Sequence, residues 1–261
     1  MNIPSEFQPR IKVEYPPGTP VPLEQWLMTE INHPDYLAIN WCGYQVNNQY
    51  GKNKPAMQRL QRFINSLPKK SWFTYTQYDD SILSDISGLD IKVFGSGGGR
   101  IDYPLALVCK PHGVIKTERT IFASFTGSLT HKIRKDLLNM TFGDDYYISA
   151  KHYGIDDYCR IIAKSTFILC PRGYGETSFR ICEALEQGAI PVYISDKFII
   201  PDNRDFEEYG VLIDHSQLSD INRILRSITP EQIEAKRKAG EVVYKELYSF
   251  EGCKSVILRN I

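Results

Sequence analysis

The 261-residue sequence has no surplus of either charge: 31 Lys and Arg stand against 31 Asp and Glu. With a formal net charge of zero, no overall field draws the chain to nucleic acid or to an anionic membrane, so any anion it binds must be met by a local constellation. Nowhere does it approach the roughly 20 consecutive apolar residues of a membrane span, and its N-terminus lacks a basic segment followed by an apolar one. A soluble, cytoplasmic protein is the expectation. The six cysteines (Cys42, Cys109, Cys159, Cys170, Cys182 and Cys253) show no CxxC and no paired Cys/His spacing, so neither structural zinc nor a disulfide framework is expected. The five histidines form no HExxH or HxxxH, and there is no Gly-x-Ser-x-Gly elbow, which removes metallohydrolase and serine-hydrolase readings. An Asp-x-Asp triplet is missing too. Asp79-Asp80, Asp144-Asp145 and Asp156-Asp157 are adjacent pairs, whose carboxylates on a strand point to opposite faces and make poor joint metal ligands.

What is present is a globular composition, 42% hydrophobic and 24% charged, long enough for one or two domains. An apolar run over 36–41, helical spacing of Met57, Leu60, Phe63, Ile64 and Leu67, and β-rich runs over 71–77 and 91–94 read as strand, helix, strand, loop and strand. Past a basic, proline-containing stretch around 110–116 the alternation restarts. Strands are expected over 120–126, 146–149, 166–170, 190–195 and 211–213, and helices over 131–139, 156–164, 178–187 and 218–227. A last helix runs from Thr229 to about Tyr248, with Thr229 as N-cap, Pro230 at its first position and Gln232 completing a capping box. The fold class is therefore α/β with parallel sheets. It divides into an N-terminal unit, 1–116, and a C-terminal unit, 117–261, whose last helix is available to pack back on the first. In open parallel sheets ligands bind at the carboxyl ends of the strands, which places a cleft between the two units.

Chemistry concentrates in 167–196. A buried strand runs into Cys170-Pro171-Arg172-Gly173-Tyr174-Gly175-Glu176, then Thr177-Ser178 opens a helix, Gly188 closes it, and Ile190-Pro191-Val192 begins another buried strand. Free N–H groups at a helix start, a glycine loop that permits close approach, and the donors of Arg172 and Arg180 make an anion site suited to a diphosphate. Glu183 follows Arg180 on the same helical face, where its carboxylate can accept hydrogen bonds from two ribose hydroxyls. A plain ion pair that stabilises the loop is the alternative for Arg180 and Glu183; for Arg134, in the helix expected over 131–139, a solvated helix residue is the alternative to any role in anion binding.

This stretch resembles the exostosin-like glycosyltransferases through Cys170-Pro171-Arg172-Gly173, Thr177-Ser178-Phe179-Arg180, Glu183-Ala184 and Gly188-Ala189-Ile190-Pro191-Val192. Phe125-Thr126-Gly127 with Arg134-Lys135 and Leu137 resembles an upstream element of the same family. The likeness covers roughly 120–195 and fades outside it. It implies a GT-B fold, two Rossmann-like domains facing a cleft, a UDP-sugar donor held by the C-terminal one, a glycan acceptor, inversion at the anomeric centre, and no cofactor or metal. By position, Arg134, Arg172 and Arg180 neutralise the leaving UDP, with Gly173, Tyr174, Thr177 and Ser178 beside them, and Glu183 holds the ribose. Typical members of the family are Golgi proteins, so the Golgi lumen is the alternative location for a chain shorn of its anchor.

An inverting transfer also needs a general base from across the cleft. Asp79, just beyond the 72–77 strand, is the first candidate, with Asp80 or Asp102 behind it and ordinary turn carboxylates as the alternative. The glycine run 95–99 matches neither a P-loop nor a dinucleotide fingerprint. It admits a phosphate or an acceptor, or is a flexible loop. Trp41 and Tyr44 are the aromatics placed to stack on a sugar. Two other readings stay open: a non-catalytic nucleotide-sugar or glycan binder, and a GDP-sugar-dependent transferase.

Overall fold

The computed structural model describes residues 3–8 and 22–261. Two all-parallel sheets carry the fold. The first has the order β1-β2-β3, with β1 at Ser71–Thr76, β2 at Asp90–Gly95 and a short β3 at Tyr103–Pro104. Its helices are α1 (Leu23–Glu30), α2 (Trp41–Asn47) and α3 (Lys54–Asn65). The second sheet has the order β5-β4-β6-β7-β8, from β4 (Ile121–Thr126), β5 (Tyr146–Ser149), β6 (Ser165–Pro171), β7 (Ile190–Ser195) and β8 (Val211–Asp214). Helices α4 (Lys132–Leu138), α5 (Ile155–Lys164), α6 (Phe179–Glu186) and α7 (Ile221–Arg226) link or follow its strands. Two helices, α8 (Pro230–Leu247) and α9 (Phe250–Arg259), complete the chain.

The parallel α/β architecture expected from the sequence is present, and its strand chemistry explains it. In β6, Phe167 and Leu169 face a core with Phe125, Val192 and Ile213. Ile168 and Cys170 face the opposite core, with Ile181, Tyr193 and Val256. Both faces are covered, so the strand is apolar from Phe167 to Pro171, as buried parallel strands are. The second of these cores also takes in Tyr75 and Phe94 from the first sheet, so the two units share apolar contacts. At the far end α9 packs on α1, with the Trp26 and Phe250 rings 5.3 Å apart and Lys254 Nζ 3.2 Å from Glu30. The capping box at Thr229 is formed as expected.

The first expected strand is not one. Residues 36–40 make a single bridge, Tyr36 to Phe73, and then turn into α2 because the Asn40 side chain accepts the Gly43 N–H and so starts a helix at Trp41. Trp41 and Tyr44 are consequently core residues rather than sugar platforms: the Trp41 Nε1–H donates to Thr74 Oγ1 at 2.8 Å, and the Tyr44 hydroxyl donates to the Ala56 carbonyl at 2.9 Å.

A buried acid secures this corner. Glu24 accepts the Cys42 N–H at 2.9 Å and the Gln77 N–H at 2.8 Å, tying α1 to the start of α2 and the end of β1. Burial outweighs these bonds and pushes its carboxyl from 4.5 up to about 8. The unfolded chain releases this proton near 4.5 while the folded chain keeps it to about 8, so ionisation favours unfolding across that window. Relative to Glu24→Gln, which cannot ionise, the wild type is expected to lose up to about 1.4 kcal/mol per pH unit between those limits and nothing beyond them. Urea unfolding of both proteins at several pH values measures it; parallel stability curves would refute the assignment.

Candidate functional site

The second sheet grows in one direction from β4 to β5, then crosses back and grows the other way through β6, β7 and β8. The carboxyl ends of β4 and β6 therefore flank a topological switch point, where α/β sheets open a crevice. Gly127 follows β4, the loop 172–178 follows β6, and α6 points its N-terminus at the same place. Ser178 caps α6 through its side chain, which receives the Arg180 N–H at 3.4 Å. A cavity of about 570 Å³ opens here, lined among others by Thr126, Gly127, Ser128, Tyr158, Arg180 and Glu183.

The three arginines occupy different environments. Arg180 lines the cavity; its Nε and Nη2 donate to the Thr126 carbonyl at 2.9 and 2.6 Å, and its guanidinium carbon stands 5.1 Å from the centre of the Phe125 ring. A Cβ at Gly127 would overlap Arg180 Nη2, which is why glycine stands there. Arg134 is buried, not solvated. It donates to the carbonyls of Arg172 (2.9 Å), Ser128 (3.0 Å) and Pro171 (3.2 Å), bracing the loops on both sides of the switch point. Desolvation and the nearby Arg180 charge depress it to about 9. Arg172 pairs with Asp196 at 2.5 Å and donates to the Gly175 and Tyr174 carbonyls, shaping its own loop. Among the described residues, no carboxylate lies within ion-pair distance of Arg134 or Arg180. Two neighbouring cations so placed favour an anion.

Glu183 is held in the cavity wall by the Tyr158 hydroxyl, which donates to Oε2, while Oε1 lies 3.7 Å from His112 Nε2. Hydrogen bonding to Glu183 raises the His112 imidazole, and burial drives the Tyr158 hydroxyl far above its ordinary value. Thr177 and Ser178 are buried at the start of α6, Gly173 donates its N–H to the Thr177 carbonyl at 3.4 Å, and Tyr174 is exposed.

The N-terminal carboxylates meet the 172–178 loop from the other side. A Cβ at Gly175 would overlap Asp79 Oδ1, and the Tyr174 hydroxyl donates to Asp80 Oδ2 at 3.2 Å, so Asp79 and Asp80 sit against this loop. Asp102 lies elsewhere: its Oδ2 accepts the Val93 N–H at 2.8 Å, closing the turn into β3. The glycine run 97–99 lies tight on 78–80. A Cβ on Gly97 would come within 2.6 Å of the Tyr78 carbonyl, and Gly98 donates to the Asp79 carbonyl at 2.7 Å. The run lines a second cavity of about 340 Å³ with Glu176, Lys197, Phe198 and Asn203.

Glu176, Tyr158 and His112 went unread in the sequence. Glu176 reaches Lys197 at 2.8 Å through Oε1, and its Oε2 is buried without a partner. Its place inside Gly175-Glu176-Thr177 was the available signal. Tyr158 and His112 lie 25 and 71 residues from Glu183, beyond the reach of any local pattern.

Residues 101–228 match the Exostosin GT47 domain. This segment holds the switch point, the cavity lining and the residues Arg134, Arg172 and Arg180, so the likeness to the exostosin GT47 domain falls on the candidate site. Similar proteins include one named probable glycosyltransferase in Arabidopsis thaliana, 32% identical over 148 residues, 55% of this chain and 29% of that protein. Exostosin-1 of Drosophila melanogaster is 34% identical over 100 residues, 38% of this chain and 13% of its own length. An Arabidopsis thaliana protein named probable β-1,4-xylosyltransferase is 36% identical over 83 residues, 31% of this chain and 20% of its own. The chain thus spans less than a third of the length of these relatives. The solved structure of TarM overlaps 78% of this chain and 53% of its own at a TM-score of 0.46 and 10% identity. Among the described residues no helix is long and apolar enough to cross a membrane.

Proposed function

We propose that the chain is an inverting glycosyltransferase that binds a UDP-sugar in the cavity at the β4–β6 switch point and transfers its sugar to a hydroxyl of a glycan acceptor. The observation that carries this reading is the convergence of Arg180, the capped N-terminus of α6 and Glu183 on one cavity within the segment that matches the exostosin GT47 domain. One relative's printed name, probable β-1,4-xylosyltransferase, supports sugar transfer.

In the transfer, the acceptor oxygen bonds to the anomeric carbon as the bond from that carbon to the diphosphate oxygen breaks. The acceptor proton passes to a carboxylate, and negative charge grows on UDP. Arg180 and the N–H groups of α6 meet that charge in place before it develops, which is how preorganised donors lower a barrier. Arg134 and Arg172, held behind the cavity lining by backbone carbonyls, add positive potential, so no metal is needed to bridge the diphosphate. Glu183, oriented by Tyr158, accepts from the ribose hydroxyls. Asp79 remains the leading base, with Asp80 beside it and Asp102 third, because Asp79 stands where the N-terminal loop meets the 172–178 loop.

A thermal-shift panel of UDP, GDP and several UDP-sugars tests the reading. UDP at 100 times its Kd adds about 2.7 kcal/mol, or roughly 5–10 °C for a chain of this size. The shift should be larger for UDP than for GDP, persist in EDTA and vanish in Glu183→Ala. A panel with no shift would remove the donor site, and a shift without turnover for any donor and acceptor would favour a binding protein.

A further inference from the structure

Beyond the switch point, the same cavity has a second chemical corner. Cys109 and His112 hang from the irregular segment that follows β3, and α6 brings Glu183 up to them. Cys109 Sγ lies 3.9 Å from His112 Nε2, and His112 Nε2 lies 3.7 Å from Glu183 Oε1. All three donor atoms fall within 4.8 Å of one another. Zinc bonds of about 2.3 Å to sulfur and 2.0–2.1 Å to nitrogen or oxygen, at the tetrahedral angle, put sulfur and nitrogen about 3.6 Å apart and nitrogen and oxygen about 3.3 Å apart. The sulfur–nitrogen and nitrogen–oxygen spacings exceed these by a few tenths of an ångström, and the sulfur–oxygen spacing, which lies within 4.8 Å, by at most about 1.2 Å, so side-chain movement would close the three around an ion.

The support around the three residues is in place as well. Glu186 Oε1 accepts the Gly113 N–H at 2.8 Å, and Gln187 accepts the Ile115 N–H at 2.9 Å while donating to the Gly113 carbonyl at 2.6 Å. These bonds fasten the segment that carries His112 to α6, and the Tyr158 hydroxyl fixes the far oxygen of Glu183. Metal ligands ordinarily need such outer support. Cys109, His112 and Glu183 all line the 570 Å³ cavity, so the fourth side of the tetrahedron faces open space.

We propose that Cys109, His112 and Glu183 bind a thiophilic divalent cation, Zn²⁺ by ligand preference, with its fourth position open to the cavity. A thiolate with an imidazole selects zinc over magnesium or calcium. Against the expectation of no paired Cys/His spacing, Cys109-Lys110-Pro111-His112 is such a pair, completed by a carboxylate 71 residues further along. The site does not depend on the transfer reading: it would stand if no nucleotide bound. If the transfer reading holds, zinc and ribose share Glu183, and zinc acts as a competitor of the donor rather than as part of the reaction.

The test is a Co²⁺ titration of the purified, chelator-treated chain, read by visible absorption, followed by displacement with Zn²⁺. One equivalent of Co²⁺ should give tetrahedral ligand-field bands and a thiolate-to-cobalt charge-transfer band, and Zn²⁺ should abolish both. Cys109→Ser should remove the charge-transfer band. His112→Ala, at an exposed position, should weaken Zn²⁺ binding by more than the roughly 10–100-fold that loss of a supporting hydrogen bond costs. Cys253→Ser, with its thiol in the core away from the cavity, should leave the charge-transfer band unchanged. Circular dichroism establishes that each variant is folded. Absence of the charge-transfer band in the wild type, its persistence in folded Cys109→Ser, or unchanged Zn²⁺ affinity in His112→Ala would each overturn the proposal.

Discussion

Replacing Arg180 by alanine is expected to lower sugar transfer by roughly 10²–10³-fold, the usual cost of deleting one preorganised donor at a site of developing charge. Arg180 combines three properties that neither other arginine shares: it lines the cavity, it sits in the first turn of α6, and it is pinned by two bonds to the Thr126 carbonyl with its plane near Phe125. Pinning matters because a guanidinium already in position loses little freedom when the diphosphate arrives. Lysine cannot reproduce it, since one ammonium cannot both replace the forked contact to Thr126 and present a second edge to phosphate. Arg180→Lys should therefore recover only a small part of the lost rate. Steady-state kinetics against a UDP-sugar, with circular dichroism to confirm folding, measures this. Arg180→Ala within a few-fold of wild type would take the diphosphate away from α6.

Gly127→Ala tests the same geometry from the opposite wall. The new methyl group occupies the place of Arg180 Nη2, and φ of +153° adds some backbone cost. It should mimic Arg180→Ala in rate while every charged group is kept.

The parts of this molecule that were legible in the sequence are those written in short range. The period-2 and continuous apolar runs of β4, β6 and β7, the Thr229 capping box and the Gly188 helix stop each depend on a handful of adjacent residues. The loop that joins β6 to α6 was readable for the same reason. What could not be read depends on which distant segment a side chain meets. Residues 36–41 are apolar enough for a strand, but the segment meets β1 only in the single bridge at Tyr36, where Phe73 bonds to Asp35 and Leu37, and Asn40 then nucleates a helix. Arg134 looks like a solvated helix residue until three carbonyls from the β4 and β6 loops close around it. The carboxylates behave alike: Asp79 and Asp80 reach the 172–178 loop across more than 90 residues, whereas Asp102 spends its oxygen on a neighbouring backbone N–H.

Arg134 yields the largest expected loss of stability. Truncation to alanine leaves the carbonyls of Ser128, Pro171 and Arg172 without their donor in a place that water reaches poorly, since the residue is only 7% exposed. Bonds to charged groups contribute about 1.5–3 kcal/mol each, and a cluster that shares one donor loses less than the sum, so about 3–5 kcal/mol is expected for Arg134→Ala. Arg134→Lys keeps the charge but supplies a single nitrogen for three carbonyls in a fixed fork, and should still cost about 1–3 kcal/mol. The two variants also separate bracing from charge. Urea unfolding reports the first, and the UDP-induced thermal shift of each folded variant reports the second. A lysine variant that unfolds more easily yet binds UDP as the wild type does would mean that Arg134 serves the site through positive potential and the loops need only approximate bracing. A lysine variant with intact stability and no UDP shift would mean instead that the forked geometry itself, through the position it imposes on the Pro171 and Arg172 carbonyls, sets where the diphosphate can lie.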